Sequence, residues 1–204
     1  MSLIELQTRL TAAGHPCAGE AELGAVTYAA LMSFAANRPL GPLGQALGAA
    51  AASQFDVHDI VTDLRRVHWL AQAAHETGGF RYLTELGGEA YFAQYDGRPE
   101  LGNLQPGDGY RFRGRGLFQI TGRFNYRHFG RAISEPLEDN PGLAAQPGVA
   151  VKLACQFWTE RRIAQPADAD DCASVTRRIN GGLNGLADRQ AATDRLKSIF
   201  GLGA

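Results

Sequence analysis

DVHDIVTDLRRVHWLAQAAHETGGF, residues 56–80, carries one helical period almost from end to end, and its reading sets the frame for the rest of the chain. Ile60, Leu64, Val67, Ala71 and Ala74 recur at helical spacing and mark a buried stripe. Arg65, Trp69, Gln72 and Glu76 fall at i, i+4, i+7 and i+11, which places them together on a different face. Asp56 is the expected N-cap, and Gly78-Gly79 the expected stop just after His75 and Glu76. A carboxylate on the last turn meets the negative end of the helix dipole, so the position of Glu76 is expected to raise its pKa.

Length and composition bound what can be built around this helix. The chain has 204 residues, 45% hydrophobic and 20% charged, the profile of one globular domain with a real core and a small appendage. Twenty Lys and Arg against 21 Asp and Glu leave a net charge of -1, which argues against a general nucleic-acid or membrane-surface binder. Cys17, Cys155 and Cys172 are too few and too scattered for a disulfide framework, and no CxxC pair suggests zinc. The start, MSLIELQTRL, has no basic n-region and carries Glu5 in what would be the apolar stretch. Synthesis in the cytoplasm without a signal peptide is the expectation. The Ala/Gly-rich run Leu40–Phe55 is too short to span a bilayer, so no stable membrane insertion is expected.

Elsewhere the pattern is again mostly helical. Leu3, Leu6 and Leu10 share a face, as do Leu31 and Phe34, giving two small helices in residues 1–37. The breaker cluster Asn37-Arg38-Pro39-Leu40-Gly41-Pro42 sets a module edge, with a short helical segment at 1–38 and a catalytic-sized domain at 39–204. Leu43–Phe55, Val149–Ile163, Asp171–Ile179 and Ala187–Phe200 read as further helices. From Gly87 to Gly130 the chain is rich in Gly, Tyr, Phe and Arg, and loops with at most short strands are expected there.

Two stretches carry groups suited to chemistry. His75-Glu76-Thr77-Gly78-Gly79-Phe80 is followed by Glu85 and Glu89. A helix-end Glu, a glycine turn and a second Glu supply the two facing carboxylates that glycoside cleavage requires; solvated surface acids are the plain alternative. Gly107–Tyr126 then alternates glycines, aromatics and amides, which suits a sugar-binding wall: flat apolar faces with directional hydrogen bonds. No GxxxxGK[ST] or GxGxxG favours a phosphate loop instead, no HExxH completes the His68/His75 pair, and no GxSxG is present. Metal and cofactor are therefore not expected. Asp168, Asp170 and Asp171 lack the EF-hand glycine and terminal Glu, and read as caps for the following helix.

Four ordered blocks, His75–Phe80, YDGRPELGN at 95–103, GRGLFQITGRFNY at 114–126 and INGG at 179–182, make residues 43–200 resemble the family 19 glycoside hydrolases, the chitinase and phage-type endolysin group. The resemblance implies a mainly α, lysozyme-like α+β fold with a small loop and strand region. It implies Glu76 as general acid, kept protonated by apolar neighbours Trp69 and Phe80, and Glu85 as base, with Thr121 holding the attacking water. Gln119, Asn125, Tyr126, Asn180, Arg189 and Trp69 fall where the family contacts substrate or braces the acids. An inverting pair stands about 6.5–9.5 Å apart; Glu89 competes with Glu85 for the second role.

Asn184 stands where plant members carry an acid, and Phe124 where they carry an aromatic hydroxyl; with the short gap from Glu76 to Glu85, both point toward lysins. The β-1,4 glycan of peptidoglycan is thus the expected substrate, with chitin oligomers and a non-catalytic glycan-binding role as alternatives. A monomer is expected. The resemblance also implies action on the cell wall after release, through a separate holin-type permeabilising protein. Residues 3–37 weakly resemble a shortened peptidoglycan-binding module through Leu6, Gln7, Leu10, Gly14, Thr27, Ala30 and Phe34, and an extension that only packs on the hydrolase is the equal alternative. Finally, Arg111, Arg113, Arg115, Arg123, Arg127 and Arg131 crowd a segment free of acids between Asp108 and Glu135. They either brace the cleft or face the stem-peptide carboxylates that chitin lacks.

Overall fold

A computed structural model describes residues 1–203, and among these the chain is helical with almost no strand. In chain order the helices are α1 (Leu3–Ala12), α2 (Ala25–Ala35), α3 (Gly41–Gln54), α4 (Asp63–Glu76), α5 (Glu89–Phe92), α6 (Asp108–Arg111), α7 (Arg123–Ala132), α8 (Pro147–Glu160), α9 (Ala164–Asp168), α10 (Cys172–Asn180) and α11 (Leu186–Ile199). The expected mainly α, lysozyme-like architecture is what forms.

Helix α4 is the axis of the molecule. Every residue from Val67 to Ala74 is buried, because α2, α9, α10 and α11 pack around it. The two faces read from the sequence are therefore both covered, and Trp69, expected on a substrate-facing side, has no exposed surface. Its ring lies edge-on to Phe55 at 4.9 Å and tilted against Phe118 at 5.8 Å, in the core. A one-stripe reading suits a helix at the surface of a domain; this one is central. Its start also differs from expectation. Helix α3 ends at Gln54, residues 55–61 turn with Asp59 in the left-handed region, and Thr62 rather than Asp56 caps α4 by accepting from Arg65 N at 3.2 Å.

The breaker run at 37–42 is the turn joining α2 to α3. Side chains on both sides of it, from Leu6, Leu10 and Leu31 to Leu47 and Phe55, belong to one continuous apolar core. The two helices pack backbone to backbone at Gly48, where a Cβ would stand 2.3 Å from Ala25 O and 2.6 Å from Ala29 N. In the 87–130 region the expected loops and short strand pairings occur as isolated antiparallel bridges, Thr84 with Arg115 and Arg115 with Ile120. The same region also forms α5, α6 and, at greatest length, α7, where loops with at most short strands were expected. In α7 the buried Tyr126, Phe129 and Gly130 follow the i, i+3, i+4 rule, but few good helix formers surround them. Asp171 caps α10 as expected, accepting from Ser174 N at 2.9 Å.

Gly48→Ala should destabilise the fold by about 1–3 kcal/mol, because the added methyl meets backbone that cannot rotate away. Intrinsic helix propensity alone would favour alanine by about 1 kcal/mol. Gly148→Ala, in α8 with nothing within 4 Å, should instead be neutral or stabilising. Urea unfolding of both variants reads the difference; equal effects would contradict the close approach.

Candidate active site

Glu76 closes α4, and the turn at residues 77–80 holds it still. Buried Thr77 donates its hydroxyl to Ala73 O at 2.6 Å and accepts from Phe80 N at 2.8 Å, so the turn begins immediately after the carboxylate. Gly78, Gly79 and Phe80 all take positive φ. Arg38, just past α2, donates to Gly79 O at 2.9 Å and ties the N-terminal helices to this turn. Trp69 and Phe80, the apolar neighbours expected for Glu76, are fully buried, and the carboxylate Oε1 accepts from Arg189.

Arg189 is itself only 1% exposed. It also donates to Gln72 Oε1 and, at 3.2 Å, to Asn184 O, while Gln72 Nε2 donates to Thr176 Oγ1 at 3.1 Å. A buried polar seam between α4, α10 and α11 thus ends at Glu76. One residue earlier on each helix, His75 meets Asp188. Further down, His68 and Lys197 both meet Asp170. Burial pushes the Asp170 carboxyl up, but bonds from Lys197 and His68 outweigh it and hold the group below its ordinary value; burial pushes His68 down.

Glu85 comes from the segment between α4 and α5. Its backbone pairs with Gly114 O at 2.8 Å, and Gly114 N returns a bond to the Glu85 carboxylate at 3.0 Å. A Cβ at residue 114 would lie 2.9 Å from that carboxylate and 2.8 Å from Gln119 Oε1, so a larger residue there would displace the ends of both side chains. Gln119, in the left-handed region, donates to Gly116 O at 2.7 Å; Thr121 donates to Gln119 O at 3.2 Å; Asn125 donates to Thr121 O at 2.7 Å. Glu76, Tyr82, Thr84, Glu85, Leu86, Gln119 and Thr121 line one open cleft of about 440 Å³. Glu89 lies instead in a neighbouring hollow with Ala90, Ala93, Asp96, Gly107 and Tyr110.

The structure thus brings together Glu76, Glu85, Gln119 and Thr121, with Asn125 behind them and Arg189 beneath Glu76. Asn180 is exposed at the end of α10, outside the cleft lining. Tyr126, expected to touch substrate, is fully buried; its hydroxyl donates to Arg113 O at 2.6 Å and accepts from Arg115 at 2.8 Å, and burial pushes its pKa up to about 12. The arginines of the 111–131 segment are mostly bonded within the protein, although Arg111, Arg127 and Arg131 are exposed. Arg111, Arg113 and Arg115 donate to backbone carbonyls, Arg123 pairs with Asp108 and Glu138, and Arg127 pairs with Glu138 at 2.7 Å. Those bonds, from Arg127 first and then Arg123, pull Glu138 down to about 2. Among the described residues, only Arg131 of the six has neither kind of partner. A larger groove of about 530 Å³ between α2 and α3 contains no acidic residue. No group of three or more His, Cys, Asp or Glu side chains among the described residues is disposed to hold a metal.

Two carboxylates, Glu76 and Glu85, thus line one cleft. The model for family 19 glycoside hydrolases, described as chitinase class I, matches residues 27–192. The chain belongs to this family. A family 19 domain-containing protein of Haemophilus influenzae is 32% identical over 168 residues, covering 69% of this chain and 82% of that protein. An Arabidopsis thaliana endochitinase is 35% identical over 135 residues, covering 65% of this chain, and the chain spans less than half (45%) of that relative's length. Among solved structures, chitinase C from Streptomyces griseus superposes with a TM-score of 0.65 at 26% identity, over 90% of this chain and 96% of that one.

Sequence reasoning does not single out Gln72, His75 and Asp188 as parts of the site. Gln72 shares a face with Glu76, which is a usable signal; the α11 partners depend on tertiary packing that spacing cannot show. Removing the buried guanidinium leaves Gln72 without its partner and Glu76 without a countercharge. Arg189→Met should therefore cost about 3 kcal/mol of stability. Denaturant unfolding checks this, and a loss below about 1 kcal/mol, the value for an exposed pair, would contradict it.

Proposed function

We propose that this family 19 member hydrolyses the β-1,4 glycan of peptidoglycan by inverting acid-base catalysis. The observation that carries the reading is the single cleft shared by Glu76 and Glu85, with Thr121 and Gln119 on its wall. Arg189 occupies Oε1 of Glu76, which leaves Oε2 to carry the proton delivered to the leaving glycosidic oxygen. Glu85, oriented by Gly114 N, takes a proton from the attacking water. Thr121 offers that water an acceptor oxygen, and Gln119 and Asn125 hold the wall in shape. Attack from the face opposite the leaving group inverts the anomeric carbon.

Asn184 and Phe124, at positions where plant members differ, support peptidoglycan as the polymer. Chitin is the second reading, favoured by the names of the plant and Streptomyces relatives. On either polymer, Glu76→Gln and Glu85→Gln should each lower the rate by about 10²- to 10⁴-fold. Glu89→Gln, in its separate hollow, should change it only slightly. Reducing-end release from purified sacculi and from chitin oligosaccharides measures all three. Retention of more than about a tenth of the rate by Glu76→Gln would remove its role as acid, and a severe loss in Glu89→Gln alone would move the base.

A further inference from the structure

A β-1,4 glycan asks a cleft for more than two acids. Each pyranose carries its hydroxyl and amide groups around the rim and C–H groups on its flat faces, so a site that holds it pairs directed polar groups with an apolar face. The residues read from the sequence as sugar platforms do not supply that face, because Trp69 and Tyr126 have no exposed surface. Among the described residues that line the cleft, Glu76, Thr84, Glu85, Gln119 and Thr121 are polar, and only Tyr82 and Leu86 carry large apolar surface. Tyr82 is the one aromatic ring in that lining, and it is 47% exposed.

The position of this ring is set by the turn that carries Glu76. Tyr82 N donates to Thr77 O at 3.0 Å, one residue past the acid. Its carbonyl accepts from Gln119 Nε2 at 3.5 Å, which ties the same residue to the loop wall of the cleft. One side of the ring leans on Gly78, where a Cβ would stand 3.3 Å from Tyr82 Cδ2 and 3.5 Å from Cε2. The other side is left to the cleft. A large aromatic surface in water gains free energy when a ligand covers it, and the electron-rich face of the ring matches the C–H face of a sugar.

We infer that Tyr82 is a substrate-binding residue of this cleft, its ring forming the platform on which a pyranose of the strand rests beside Glu76 and Glu85. This rests on the proposed glycan hydrolysis and holds for either polymer, since peptidoglycan and chitin strands present the same ring faces. The test compares the full chain with its Tyr82→Phe, Tyr82→Leu and Tyr82→Ala variants on soluble peptidoglycan glycan strands and on chitin oligosaccharides, with KM and kcat measured separately. Tyr82→Phe keeps the ring; Tyr82→Leu keeps an apolar side chain over Gly78 but has no flat face. Calorimetric binding of the same oligosaccharides to Glu76→Gln, with and without Tyr82→Ala, reads the contact without turnover.

Tyr82→Phe should keep the wild-type KM. Tyr82→Leu and Tyr82→Ala should raise it about five- to tenfold, the effect of covering the exposed half of a large apolar side chain. Their kcat should follow wild type, because the contact is made equally in the bound and transition states. The Kd in the Glu76→Gln background should rise by the same factor. A fall in kcat at wild-type KM would mark a residue that only shapes the turn around Glu76, and it overturns the inference. So does a Tyr82→Leu variant that matches wild type, or a Tyr82→Phe variant as impaired as Tyr82→Ala; each of these leaves the hydrolysis reading intact. A wild-type chain that cuts neither polymer overturns both.

Discussion

Arg189 is the interaction on which the rest of this structure depends. A guanidinium this deeply buried must satisfy its donors within the protein, and it does so by joining Gln72, Asn184 O and Glu76. The bond to Glu76 fixes the end of α4 against the start of α11. It also leaves one oxygen of that carboxylate turned to the cleft. The remainder of the α4–α11 seam repeats the device at lower stakes, with Gln72 on Thr176 and His68 and Lys197 on Asp170. A central helix with polar groups along one side gains from such partners, since each buried group left unpaired costs about 1–3 kcal/mol.

The second acid is placed by different means. Glu85 sits on short bridged segments rather than a helix, and its carboxylate is held by a backbone N–H from Gly114. The cleft thus has one wall set by helix packing and one set by loop hydrogen bonds. Gln119, Thr121 and Asn125 extend the loop wall through a chain of bonds to carbonyls, so the amide-rich segment acts chiefly as scaffold and presents few free groups.

Much of this is legible from the chain alone. The helices α1, α2, α3, α8, α10 and α11 follow apolar spacing, and the Gly78-Gly79 stop lies where α4 ends. The two acids stand out because a helix-end Glu followed by a turn is chemically conspicuous. Burial on a central helix cannot be read this way: Trp69 and Tyr126 look like sugar platforms in sequence and are core residues in space. At 111–131 it is the bracing reading of the arginines that the bonds support, for a related reason. Asp108 and Glu138, the partners of Arg123 and Arg127, bracket the segment, close in space yet outside the acid-free window. Pairing of this kind depends on how α6 and α7 meet, which no local pattern encodes.

In the proposed reaction Glu76 and Glu85 act on a sugar and a water held in the cleft they share, with no covalent bond to the sugar. Its most direct measurement is the configuration of the reducing end at the first time points of hydrolysis, followed by proton NMR before mutarotation. Attack by water predicts that the α anomer forms first from a β-linked strand. Initial release of the β anomer would contradict it, because retention requires a nucleophile at closer range than an intervening water allows.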